Sequence, residues 1–197
     1  MGSDKALVQF AGRPLLAHAL EILRCAGLAP CIAGAAAALD DFAPVIADPE
    51  PGLGPLSGVC AALASTSASR AVFVAVDQPL LPSSLIVHLL HRARIAGSAV
   101  TVPSVNGFAQ TFPVVLHRTA LTALESQLKA RCRGCFAAFQ AAASSLGQPV
   151  SVLPVEFLVQ SGQVDHAQNL PAAYWFLNVN TPADLRRAEA HWPAPIK

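Results

Sequence analysis

The sequence predicts an α/β fold: a mostly parallel sheet covered by helices on both faces. Three observations carry this expectation. Short apolar runs of strand length alternate with longer segments of helical period, the order expected of strand–helix units. The run Ala71-Val72-Phe73-Val74-Ala75-Val76 is apolar throughout, as a parallel strand buried on both faces should be. Two apolar runs deliver a carboxylate, Asp48 and Asp77, to a strand's carboxyl end, where open α/β sheets bind ligands.

The elements follow in order. Gly12-Arg13-Pro14 opens a helix, with Pro14 suited to its first turn. Leu16, Ala19, Leu20 and Leu23 share one face of it and His18, Glu21 and Arg24 another, and Gly27 is a stop. Cys31 and Ile32 form a short strand, and 45–47 a second that ends in Asp48. A Pro/Gly loop over 49–55 leads into an Ala-rich helix at about 56–65. The 71–76 strand ends in Asp77, and Ser83 caps the helix carrying Leu85, Ile86, Leu89, Leu90 and Ala93. Strands are expected at 99–102 and 112–116, helices at 119–129 and 136–145, late strands at 150–155 and 174–179, and a closing helix at 182–191. The segment 160–171 is the least structured by pattern. Neither an internal repeat nor a dividing linker stands out, so 1–197 reads as a single domain of ordinary size.

Composition narrows the function classes. Hydrophobic residues make up 53% of the 197 and charged residues only 13%, with a net charge of +1. That balance gives no electrostatic reason to expect nucleic acid. The apolar runs are far shorter than the roughly 20 residues of a membrane span, so no membrane partner is expected. Asp4 and Lys5 come where a secretory signal would begin, and no apolar cleavable region follows. Five scattered cysteines suit free thiols in a reducing cytosol, so the expected location is cytoplasmic.

Asp77 is the sharpest candidate site residue. Gln78-Pro79 turns the chain at once, leaving the carboxylate at the sheet edge to hold Mg²⁺, which takes one or two carboxylates plus substrate phosphates. A capping role is the plain alternative. Gly52-Leu53-Gly54-Pro55-Leu56-Ser57-Gly58 is a glycine loop opening a helix. Its amides could meet a phosphate, base or ribose, although a tight turn needs glycine equally. Lys5 could neutralise charge on a leaving pyrophosphate, or be solvated surface. Thr181, Pro182 and Asp184 read as N-cap, first helical position and first turn. This leaves Asn178 and Asn180 as amides free to meet substrate. Cys132 and Cys135 form a lone C-x-x-C with no second pair at zinc spacing, which reads as chance. His88 and His91 read as boundary or surface residues.

These motifs arrive in an order that resembles the molybdenum cofactor guanylyltransferase family. The matching residues are Met1, Gly2, Asp4, Lys5, Ala6 and Leu7; Gly12-Arg13-Pro14-Leu15; Asp48; Gly54-Pro55-Leu56-Ser57-Gly58; Asp77 and Pro79; and Asn178, Asn180, Thr181, Pro182, Asp184 and Leu185. The resemblance implies a Rossmann-like three-layer α/β/α fold of nucleotide-diphospho-sugar transferase type. It also implies Mg²⁺-dependent transfer of a guanylyl group from GTP to the terminal phosphate of molybdopterin, with release of pyrophosphate. Lys5 and Asp77 would be catalytic, and Asp77 would hold the metal. Lys5, Asp48, Gly54, Pro55, Leu56 and Gly58 would bind the nucleotide, and Asn178 and Asn180 the pterin. Transient contact with proteins that insert or deliver the cofactor follows from the same likeness. Use of CTP on the same pterin, transfer to a sugar or alcohol phosphate, and a non-catalytic binding relative are the alternatives.

Three departures from the family pattern matter. The family's first strand and its Leu-Ala-Gly-Gly-x-Ser-x-Arg turn are absent ahead of Met1, and the neighbours of that strand should lack ladder partners. Met1 falls on the family's internal Met, so the expectation is a start codon placed too late, or a truncated chain. Ala33-Gly34-Ala35 stands where the family often carries a base-reading Asn, which puts guanine selectivity in question. Gln110-Thr111-Phe112-Pro113 follows the family only loosely. Arg131 and Arg133 lie where the family carries basic residues.

Overall fold

The computed structural model describes residues 5–34, 39–48, 54–132 and 134–192. A 3-10 turn, Lys5–Leu7, leads into a small antiparallel hairpin of β1 (Gln9–Phe10) and β2 (Arg13–Pro14). Ala11 and Gly12 turn the hairpin with φ of 48° and 78°, a backbone that favours glycine at the second position. Next come α1 (Leu15–Cys25), β3 (Ile32–Ala33), β4 (Val45–Ile46), α2 (Pro55–Ser65), β5 (Arg70–Phe73) and α3 (Ser83–Ala96). The second half runs β6 (Val100–Val105), β7 (Phe108–Ala109), β8 (Val114–His117), α4 (Leu121–Lys129), α5 (Cys135–Ser145), β9 (Ser151–Pro154), α6 (Val155–Gln160), α7 (Ala172–Trp175) and α8 (Pro182–Glu189).

The α/β class holds; the ladders are mixed, and among the described residues the main sheet is mostly antiparallel where a mostly parallel one was expected. β3 and β4 form a parallel pair on their own. A five-stranded sheet runs β5-β8-β6-β7, with β9 parallel to β6 and the other pairs antiparallel. Alternate residues along the strands separate two helical layers, as a period of two requires. Val114 and Leu116 of β8 and Ala71 and Phe73 of β5 pack with α2, α4 and α5, around Leu63, Leu124 and Phe139. Val115 and Val72 face the other way, against Leu85 and Leu89 of α3, Leu158 of α6 and Trp175 of α7. This is a helix–sheet–helix sandwich. Among the described residues β5 has a ladder on one side only, with β8, so its residues are half-buried rather than sealed on both faces.

Several boundaries differ from the sequence reading. Pro14 is the N-cap of α1 and not part of its first turn, because it is engaged in the hairpin. Pro82, not Ser83, precedes α3, and the Ser84 hydroxyl bonds the Asp165 carbonyl instead of capping. The run 174–179 is not a strand. Trp175 is buried as the last residue of α7, with its indole N–H donating to the Leu170 carbonyl at 2.7 Å. Burial of the aromatic ring outweighs the run's strand pattern there. The C-terminal helix is as expected: Thr181 and Asp184 form a reciprocal capping box with Pro182 at the first position.

Candidate functional site

Three segments far apart in sequence meet at one point. Lys5 starts the first turn, and its neighbour Ala6 is buried against α1 and the β3–β4 pair, which anchors the turn. Asp77 follows β5. Its main-chain carbonyl accepts the Val179 N–H at 2.8 Å, while Val179 is itself fully buried with Phe10, Leu15, Leu80 and Ala188. That contact docks the 178–180 segment beside Asp77. The main chain at Asn180 and Thr181 is then held by the Asp184 carboxylate, which accepts both N–H groups at 3.2 and 2.8 Å. The Thr181 hydroxyl bond, then the main-chain bonds, hold the Asp184 carboxyl below its ordinary range.

Within this frame the Lys5 ammonium donates to Asp77 Oδ2 and to Asn180 Oδ1, both at 2.5 Å. The side chains of Lys5 and Asp77 are 34% and 19% exposed, so the pair is sheltered and still reachable. It is the one ion pair among the described residues. Lys5, Asp77 and Asn180 are thus brought together. Asn178 is exposed on the same segment and is not part of the cluster.

The second group of predicted residues gathers where the β3–β4 pair meets α2. The Asp48 carboxylate accepts a short hydrogen bond from Ser57 Oγ, and Ser57 is fully buried in the first turn of α2. Gly34 N–H bonds the Ile46 carbonyl at 3.1 Å, closing the β3–β4 end. A Cβ on Gly58 would rest in van der Waals contact, at 3.4 Å, with the Ala33 carbonyl carbon and the Gly34 nitrogen, so α2 sits close against that end with no room for a larger side chain. Gly54 caps α2 with φ 81°, a conformation suited to glycine. Pro55 offers no N–H and is exposed, and the Leu56 side chain is in the core. Ser57 lay inside the quoted motif but had no role in the sequence reading. Its signal is a hydroxyl in a helix's first turn, nine residues from a strand-end carboxylate.

Other expectations resolve simply. Cys132 and Cys135 are free, and burial raises the Cys135 thiol's pKa. No cluster of three His, Cys, Asp or Glu suited to a metal occurs among the described residues. His88 is half-buried, and His91 and Arg131 are exposed. Residues 1–4, 35–38, 49–53 and Arg133 lie outside the described residues, so the readings placed on Gly2, Asp4, Ala35, Gly52, Leu53 and Arg133 do too. A cavity of about 360 Å³ lies against α1 and the turn after Asp77, lined by His18, Glu21, Pro79, Ser84 and His166. Lys5, Asp77 and Asn180 do not line it.

A sheltered lysine–carboxylate pair, held where the first turn, the turn after β5 and the segment before α8 meet, suits an enzyme that handles phosphate charge. Residues 1–150 match the model of the MobA-like NTP transferase domain, and the chain belongs to that family. It is accordingly a nucleotidyltransferase. A molybdenum cofactor guanylyltransferase of Rhizobium meliloti (strain 1021) is 31% identical over 210 residues, covering 98% of this chain and 86% of that protein. In fold the chain is similar to molybdopterin-guanine dinucleotide biosynthesis protein A of Archaeoglobus fulgidus, with TM-score 0.75 and 22% identity over 96% of this chain and 90% of that one. It is also similar to a Mycobacterium tuberculosis H37Rv protein solved in complex with manganese, with TM-score 0.61, 21% identity and coverage of 96% and 93%.

Proposed function

We propose that this enzyme transfers the guanylyl group of GTP to the terminal phosphate of molybdopterin, releasing pyrophosphate. One observation carries the reading: Lys5, Asp77 and Asn180, from three separate motifs, converge on a single ammonium. The relative named for this activity supports the choice of substrates. Lys5 would shift from its carboxylate to the phosphates and balance the charge that builds on the leaving group. Asn180, and Asn178 beside it, would meet the acceptor. Asp48, held by Ser57, and the loop from Gly54 to Gly58 would border the nucleotide.

The site suits magnesium. Mg²⁺ needs only one or two carboxylates when substrate phosphates complete its shell; the strand expected over 71–76 ends at Phe73, and Asp77 offers a partly exposed carboxylate in the turn that follows. Bound there, the ion would supply charge neutralisation at the phosphates. The protein's own work is positioning: the Val179–Asp77 bond and the capping box fix where Asn180 stands, and the buried Ala6 fixes where Lys5 starts. We assign the enzyme to the cytoplasm on its free cysteines; no described helix is long and apolar enough to cross a membrane. Transient exchange of the pterin with delivery or insertion proteins belongs to the same reading.

The test is a turnover assay with molybdopterin, Mg²⁺ and either GTP or CTP, with the dinucleotide identified by mass. A guanine dinucleotide with stoichiometric pyrophosphate confirms the proposal. A cytosine dinucleotide alone reassigns the base, and no product from either nucleotide rejects the reading.

A further inference from the structure

We propose that the cavity between α1 and the turn after Asp77 is a second binding site, for a small organic cation that brings N–H donors, an amine or a guanidinium. The cavity measures about 360 Å³, within the range of small-molecule pockets, and Lys5, Asp77 and Asn180 do not line it. Its two histidines decide what it can hold. Both are more than nine-tenths buried, His18 at 4% exposed and His166 at 7%. His166 is saturated: its Nε2–H donates to the Leu80 carbonyl and its Nδ1 accepts the Gln168 N–H, each at 3.1 Å. His18 donates its Nε2–H to the Phe10 carbonyl at 2.9 Å, which fixes the tautomer and makes Nδ1 an acceptor. No described residue donates to that nitrogen, and it opens into the cavity that His18 lines. An acceptor so placed calls for a donor.

The charges around His18 select a cation. Glu21 lies three residues on, one turn along the same face of α1, and Asp165 lines the cavity from the segment after α6. Against these two carboxylates stands one cation, Arg13, which is exposed and can turn its head to water on a long apolar stem. Burial lowers the pKa of both histidines, so the rings are neutral at neutral pH and add no positive charge. An anion entering here meets two carboxylates and a lone pair; an ammonium or guanidinium meets three acceptors. The Glu21 carboxylate takes only the weak Cys25 S–H, at 3.5 Å, and keeps lone pairs for a ligand. Trp192 adds an aromatic ring to the lining, a surface that suits a cation. The occupant would lie beside the two histidines that hold the Phe10 and Leu80 carbonyls, so its binding should also stabilise the fold.

The experiment uses the full chain and three probes: agmatine, which carries an ammonium and a guanidinium, the neutral amide valeramide and the dianion glutarate. Binding is read by calorimetry for wild type, Glu21→Gln and Ala167→Phe, and at the ring nitrogens by histidine-selective ¹⁵N NMR. Agmatine should bind wild type and raise its melting temperature, and valeramide and glutarate should do neither. Glu21→Gln keeps the shape and removes the charge, and should weaken agmatine at least about tenfold. Ala167→Phe keeps every charge and fills the cavity, and should abolish binding. Glu21 and Ala167 are exposed, so both variants should fold, which melts without ligand establish. Agmatine should move the His18 Nδ1 resonance and leave the saturated His166 nitrogens in place. Absence of agmatine binding to wild type overturns the proposal, as do affinity unchanged by both substitutions, a His18 Nδ1 signal that stays still and tighter binding of glutarate than of agmatine. No readout here uses turnover, so the transferase reading stands or falls separately.

Discussion

Ser57→Ala isolates the contact that ties the β4 end to α2. Ser57 is fully buried, and its hydroxyl donates to the Asp48 carboxylate. Alanine keeps the Cβ and removes one oxygen, so neither a large cavity nor a clash complicates the result. What is lost is a hydrogen bond to a charged acceptor, worth roughly 1.5–3 kcal/mol. For a chain of this length each kcal/mol moves the melting temperature by about 2–4 °C, so the expected fall is roughly 3–12 °C. Differential scanning calorimetry reads it directly. A double-mutant cycle with Asp48→Ala should show that the two substitutions do not add, because each removes one end of the same contact. If Asp48 borders the nucleotide, GTP affinity should weaken alongside stability, since the carboxylate loses its hydrogen bond from Ser57. A melting temperature unchanged within about 1 °C, or strictly additive effects in the cycle, would refute the reasoning.

Other perturbations reach the remaining parts of the structure. Asp77→Asn should abolish metal-dependent turnover while leaving the melting curve near wild type; turnover that persists would remove Asp77 from the chemistry. Gly58→Val would drive branched carbons into the Ala33–Gly34 backbone and should cost about 1–3 kcal/mol by chemical denaturation; a neutral result would mean that α2 does not sit as closely as described. Thr181→Ala removes half of the capping box and should cost about 0.5–2 kcal/mol, which urea unfolding would show or deny. His18 and His166 are buried, and burial lowers the pKa of both from 6.5. Acid therefore favours the unfolded chain: stability is full above about pH 6.5 and falls below it until the folded rings themselves take up protons. A melt at about pH 5.5 should lie below one at about pH 7.5, and His18→Gln should reduce the difference; an unchanged difference would clear His18 of that role.

Much of this could be read from the residues because local chemistry and tertiary context agree. The capping box needed only Thr181, Pro182 and Asp184, whose interactions lie within one turn. The β8 run alternates between two helical layers, and the helices that cover it have their own period. The misreadings fall where context overrides a local pattern. The segment 174–179 is apolar enough for a strand, yet Trp175 buries its ring from a short helix and only Val179 makes a bond across to Asp77. The apolar 71–76 run suggested burial on both faces. A strand's exposure depends on which neighbours are present to cover it, and β5 pairs only with β8 among the described residues. For the site, the residue types were visible and the contacts were not. Nothing in the spacing of Lys5, Asp77 and Asn180, separated by 72 and 175 positions from Lys5, says that one ammonium touches both partners.

The site's precision comes from apolar packing behind it. Phe10, Leu15, Leu80, Val179 and Ala188 form one buried cluster, contributed by the first hairpin, α1, the turn after Asp77, the segment before Asn180 and α8. Each of these elements adjoins a site residue or a residue that fixes one. Phe10 adds edge-on contacts with His18 at 5.0 Å and Trp192 at 5.2 Å, a geometry that aromatic rings favour. A protein with 13% charged residues has few ion pairs with which to hold its functional groups, and exposed pairs would be weak holders in any case. Dense apolar packing does that work without adding further charges beside the Lys5–Asp77 pair. On this view a truncation in the cluster, such as Phe10→Ala, should disturb Asn180 and Lys5 through position rather than charge. Activity would then be lost faster than electrostatics alone predicts, because the same packing that stabilises the fold sets the distances at the site.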